Sequence, residues 1–131
     1  MPTVPESVFK IATADSRVRQ YLTTHGWEFC GIAEEEGMDS YREKRTGKLL
    51  FIEDISDDFP VTFLMGEVSV AEFRRIAQYL TPELGLLEVE SAWEGRRTTI
   101  VVAMSEEQVR SMFGRRTKMR RLPLPHVAPQ I

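Results

Sequence analysis

A chain of 131 residues, 42% hydrophobic and 28% charged, fits one soluble globular domain with a real core and is too short for two ordinary ones. Its longest apolar runs, such as Ile100–Met104, fall far short of the roughly 20 residues needed to cross a bilayer, and Met1–Glu6 has no basic segment leading into an apolar stretch, so we expect neither a membrane span nor a secretory signal. Cys30 is the sole cysteine, which excludes an internal disulfide and a multi-cysteine zinc site; together these features predict a cytoplasmic protein.

Charge is divided along the chain. All 20 acidic residues lie at or before Glu107, and only Arg110, Arg115, Arg116, Lys118, Arg120 and Arg121 carry charge beyond it. Residues 1–107 hold 11 basic against 20 acidic residues, a formal −9, and the basic tail brings the total to −3. Such a split is not needed to bury a core; it bears on what the surface attracts. We divide the chain into an acidic domain, 1–113, and a basic, proline-containing arm, 114–131.

Taken in order, residues Pro5–Ala14 fit either a helix extension or a separate turn. A helix is predicted over Ser16–Thr24, with Asp15 as N-cap, Gly26 just past its end, and Val18, Tyr21 and Leu22 on one face. Trp27–Ala33 reads as a strand, Ser40–Arg45 and Lys48–Glu53 as a short strand and a buried strand about the Thr46-Gly47 turn, and Val61–Met65 as another. Ser69-Val70-Ala71-Glu72 is a capping-box pattern, opening a helix with Val70, Phe73, Ile76, Ala77 and Leu80 inward and Thr81-Pro82 at its end.

Leu87–Glu94 alternates cleanly, and Gly95-Arg96 suits a two-residue turn. That register pairs Glu94 with Arg97, Trp93 with Thr98 and Val89 with Val102, placing opposite charges at the turn and apolar groups on one face. Ser105-Glu106-Glu107-Gln108 is a second capping box, ahead of a short helix ending at Gly114. We summarise the order as α-β-β-β-α-β-β-α: a single α+β domain with an antiparallel sheet of about five strands and helices mainly on one face. Two hairpin-plus-capped-helix units recur, with cap serines at 69 and 105.

Gly114–Arg121 is the leading functional candidate. Arg115, Arg116, Lys118, Arg120 and Arg121 offer forks and point charges for carboxylate or phosphate oxygens. A solvated tail, or one folded onto the acidic body of its own or a neighbouring chain, is the bland reading. Nucleic acid is one alternative partner, with steeply salt-dependent affinity, although the segment has no aromatic residue for base stacking. Leu122–Ile131, with three prolines, suits an extended segment that docks in a groove or a disordered end.

Two acidic loops flank outward-running strands: Glu34, Glu35 and Glu36 in one, Asp54, Asp57 and Asp58 in the other. Both are expected at one end of the sheet, as a contact surface for a basic partner or as solubilising charge. Cation binding by the second finds no EF-hand spacing. Cys30, mid-strand among acidic residues, reads as packing rather than a nucleophile, and His25 as a helix-end residue. Tyr41, Arg42 and Arg45 beside Asp39 form a weak small-anion candidate; Trp27 and Trp93 read as core anchors.

The element order over residues 15–113 resembles that of class I secretion chaperones of the type III system, which are also small, acidic and dimeric; the arginine-rich tail departs from that pattern. The reading is thus a non-catalytic cytoplasmic binding protein, an adaptor, chaperone or regulator, with no cofactor and no metal. Its partner is another protein, with nucleic acid at 115–121 as the alternative and a homodimer as a further option. An unrecognised small enzyme ranks last, because no triad, phosphate loop or metal cluster stands out.

Overall fold

Residues 7–33, 38–55, 59–93 and 96–122 are described by the computed structural model. Val8-Phe9-Lys10-Ile11 carries β-branched and aromatic side chains on both faces of an extended chain, and it forms a strand, β1 (Ser7–Ile11), where the sequence suggested a helix extension or a turn. After it come α1 (Asp15–Thr24), β2 (Trp27–Ala33), β3 (Met38–Glu43), β4 (Leu49–Asp54), β5 (Thr62–Gly66), α2 (Val70–Leu80), β6 (Leu86–Trp93), β7 (Arg96–Ala103), α3 (Glu106–Phe113) and β8 (Met119–Arg121).

The fold is α+β, and the described residues form eight strands in one sheet, ordered β2-β3-β4-β5-β1-β7-β6-β8, against the expected five or so. Four strands separate α1 from α2, matching the four read individually over residues 27–65, where the summarised element order counts three. Every described pairing is antiparallel except β1 with β7, where Phe9, Lys10 and Ile11 lie beside Val101, Val102 and Ala103. β1 therefore joins the β2–β5 half to the β7-β6-β8 half.

Alternation along each strand builds two cores, one on each face of the sheet. Phe9, Ile11, Leu50, Ile52 and Leu64 face Val18 and Leu22 of α1 and Phe73, Ile76, Ala77 and Leu80 of α2. Leu87, Val89, Ile100 and Val102 face Val109, Met112 and Phe113 of α3. Two helices thus lie on one face and the third on the other, a finer division than the expected one-sided packing. The Phe73 ring is fully buried and stacks on Phe9 at 4.4 Å between centroids. Lys10 points to the α3 side, where its ammonium lies 4.6 Å from the Phe113 ring centroid, and burial holds its pKa below the usual lysine value.

The helix ends follow their residues with two adjustments. In α3 the capping box is complete: Ser105 Oγ accepts from Gln108 N at 3.1 Å and Gln108 Oε1 from Ser105 N at 2.9 Å. In α2 only the first half forms, because Glu72 turns to the Lys48 ammonium, 3.3 Å away, instead of reaching back. For α1 the N-cap is Ala14; Asp15 lies inside the helix and accepts from Arg19 at 3.1 Å.

The β6–β7 hairpin keeps its expected faces in a register shifted by two. Trp93 pairs with Arg96, Ser91 with Thr98 and Val89 with Ile100. Glu94 lies outside the described residues, so its expected pairing with Arg97 gives way to Ala92 opposite Arg97. A slip of two preserves which side chains face the core, so the hydrophobic pattern could not tell the registers apart.

The recurrence of a hairpin and a capped helix is not a structural repeat. β4-β5-α2 and β6-β7-α3 flank β1 with their inner strands antiparallel and their helices on opposite faces. Swapping side, direction and face together is an inversion, which no rotation of an L-chain produces.

Candidate functional site

Beyond α3 the chain turns at Gly114, whose amide bonds Arg110 O at 3.0 Å, and Thr117 N closes the turn on Gly114 O at 3.2 Å. β8 then runs antiparallel to β6, with Met119, Arg120 and Arg121 opposite Val89, Glu88 and Leu87. Glu90 N donates to Lys118 O at 3.0 Å and Leu122 N to Leu86 O at 2.9 Å. Met119 packs into the α3-side core and Leu122 against the α1/α2-side core. Apolar contacts and ladder bonds thus pin part of the basic segment to the sheet, beyond the boundary drawn at Gly114.

Arg115, Arg116, Lys118, Arg120 and Arg121 are all exposed. Arg120 pairs with Glu88 across the ladder. Among the described residues, Arg115, Arg116, Lys118 and Arg121 make no ion pair. Among the described residues, carboxylates therefore neutralise one of the five cations.

The backbone adds a feature that charge counting misses. An antiparallel ladder uses alternate residues. Lys118 and Leu122 point their polar groups at β6, as Arg120 does between them, so Met119 and Arg121 direct an N–H and a C=O each away from it. β8 is the last strand of the sheet, and that outer side is unpaired among the described residues. The signal in the sequence was Met119, one apolar residue alternating with charge, too short to read as a strand. Arg121 also borders a shallow cavity of about 210 Å³ with Glu83, Leu87 and Glu106. The Ser105 capping box there takes up the Ser105 and Gln108 amides, and Glu106 and Glu107 place negative charge in the first turn of α3, so the helix end offers an anion little.

The acidic candidates are elsewhere. Glu34, Glu35, Glu36, Asp57 and Asp58 lie outside the described residues. Asp54 ends β4, is exposed, and is engaged within the fold. β2 and β4 run in the same direction on either side of β3, so Ala33 and Asp54 end at the same end of the sheet. Five strand spacings, about 24 Å, separate β4 from β8. Asp54 and the basic edge therefore do not share one contiguous patch.

The small-anion candidate is dispersed. Tyr41 is buried in the α1/α2-side core, Asp39 on the same face pairs with Arg19, and Arg42 on the opposite face bonds Glu28 at 2.5 Å. Arg42 holds the Glu28 carboxyl below its usual pKa. Cys30 is exposed rather than packed: the β2–β3 register slips between Phe29 and Gly31, leaving Cys30 as the extra residue of a bulge. His25 caps α1, its Nδ1 2.7 Å from Tyr21 O, as a helix-end histidine should. It stacks on Tyr21 at 3.8 Å, with Tyr79 edge-on beside them. Trp27 is buried as expected.

In comparisons with protein-family models, with curated proteins and with solved structures, the chain matches none.

Proposed function

We propose that this chain is a non-catalytic binding protein, an adaptor, chaperone or regulator, that holds an acidic segment of another protein against the cationic edge at Arg115–Arg121. One observation carries the reading: four exposed cations, Arg115, Arg116, Lys118 and Arg121, without an ion pair among the described residues. A basic run folded back onto an acidic body would find carboxylates abundant on that body, and among the described residues one of the five cations is paired.

Surroundings favour a short acidic segment over a nucleic acid. Exposed Glu90 lies beside Lys118, while Glu83 and Glu106 flank Arg121, so a long polyanion meets repulsion on leaving the cationic strip. The remaining chain carries a formal −9 through residue 107, and residues 115–121 contain no ring for a base to stack on. Each exposed ion pair contributes about 0.2–1 kcal/mol, so four cations give about 1–4 kcal/mol. Charge alone therefore supports weak, salt-sensitive capture.

The test compares a labelled synthetic peptide of alternating glutamate and valine with a DNA duplex, by fluorescence anisotropy at two salt concentrations. The Arg115, Arg116, Lys118 and Arg121→Ala variant should bind the peptide about tenfold more weakly or worse, with a flattened salt response. Unchanged affinity in the variant, or no peptide binding by the native chain, overturns the proposal. Tighter, strongly salt-dependent binding of the duplex that is lost in the same variant replaces it with nucleic-acid recognition.

A further inference from the structure

Resting on that reading, we infer that the acidic segment joins the sheet as an added strand along the open side of β8. The outward N–H and C=O groups of Met119 and Arg121 form the repeating donor–acceptor row that an extended peptide pairs with. Arg121 lies on the α3 face and Lys118 on the other, so an added strand meets a cation whichever way its acidic residues face. Carboxylates directly across from these positions complete opposite-charge cross-strand pairs.

Three features select the occupant. A second copy of β8 would set arginine and lysine against themselves, which like-charge repulsion opposes. The other sheet edge, β2, is broken by its bulge at Cys30, so it offers no regular row. A three-residue strand with two outward-facing residues suits a short segment rather than a whole domain edge. The occupant is therefore an extended acidic stretch of a few residues, read mainly through its backbone and its charge.

Backbone pairing is separable from charge. Arg121→Pro removes an outward N–H and leaves the bonds of Lys118, Arg120 and Leu122 to β6 in place, because proline is tolerated on an edge where its nitrogen faces solvent. Arg121→Ala removes the same charge and keeps the amide. With the glutamate–valine peptide, Arg121→Pro should bind about tenfold more weakly than Arg121→Ala, the equivalent of one or two hydrogen bonds. Peptides methylated on alternate backbone nitrogens supply an arm that leaves the protein untouched: one methylation phase should lose about tenfold and the other stay near the parent affinity.

Equal binding of both phases, or of the two Arg121 variants while both remain folded by circular dichroism, overturns strand addition. If binding then still falls when the four cations are removed, the charge-based reading stands without it. If cation removal has no effect, both fall. Peptide-independent dimers in light scattering that dissociate in Arg121→Pro would assign the edge to a second copy and overturn the inference.

Discussion

Replacing Gly66 with alanine should cost far more than the same change at Gly47, although both glycines have positive φ. Gly47, in the β3–β4 turn, has φ 76° and nothing within 4 Å of where a Cβ would sit. Alanine there meets only the left-handed backbone penalty, about 1–2 kcal/mol. At Gly66, φ is 127° and a Cβ would lie 2.7 Å from Leu49 O and 3.3 Å from Leu50 Cα. Those atoms are backbone, and Leu49 O accepts from Glu67 N at 2.9 Å, so relief requires moving a strand held on both sides. Adding a lost hydrogen bond of about 1 kcal/mol and some ladder distortion brings the expected loss to about 3–4 kcal/mol. Urea unfolding followed by tryptophan fluorescence measures both variants, with slopes near wild type showing that two-state behaviour survives. A Gly66→Ala loss no larger than that of Gly47→Ala would refute the steric argument.

Phe73→Ala should destabilise by about 3–5 kcal/mol, since the ring is fully buried and stacked on Phe9; a loss under about 1 kcal/mol in the same assay would contradict that packing. Lys10→Met should raise stability at neutral pH, because burial depresses the Lys10 pKa and the charged form bears a desolvation cost in the folded state. With the folded pKa below the unfolded one, that cost is fully present below the folded pKa and is relieved as pH rises towards 10.5. The stability gap between variant and wild type should therefore narrow over that alkaline window, and a gap independent of pH would count against it.

Local signals carried the elements whose partners are near in sequence. Ser69 and Ser105 announced α2 and α3 because an N-cap is satisfied within four residues. Alternation gave the faces of β6 and β7 but left a register shift of two undetermined, since both registers bury Val89, Ile100 and Val102. β1 and β8 were not legible: β1 depends on β7 near the far end of the chain and its apolar run fits helix and strand alike, while β8 depends on β6 across α3 and holds a single apolar residue. Tertiary pairing also decided the site. Arg115–Arg121 was visible as charge, while the outward amides of Met119 and Arg121 exist only because β6 takes up the intervening ones. Cys30 looked packed because a bulge cannot be read from alternation alone.

The parallel contact of β1 has a bearing on how the molecule is made. Phe9 must wait for Val101, about ninety positions later, before its second edge is bonded. During synthesis β1 emerges with apolar side chains on both faces and keeps one flank open until β7 leaves the ribosome. Zippering from the amino terminus is thereby ruled out as a route to the finished sheet, and a nascent chain halted before Arg96 would hold β1 beside β5 with its flank towards β7 still open.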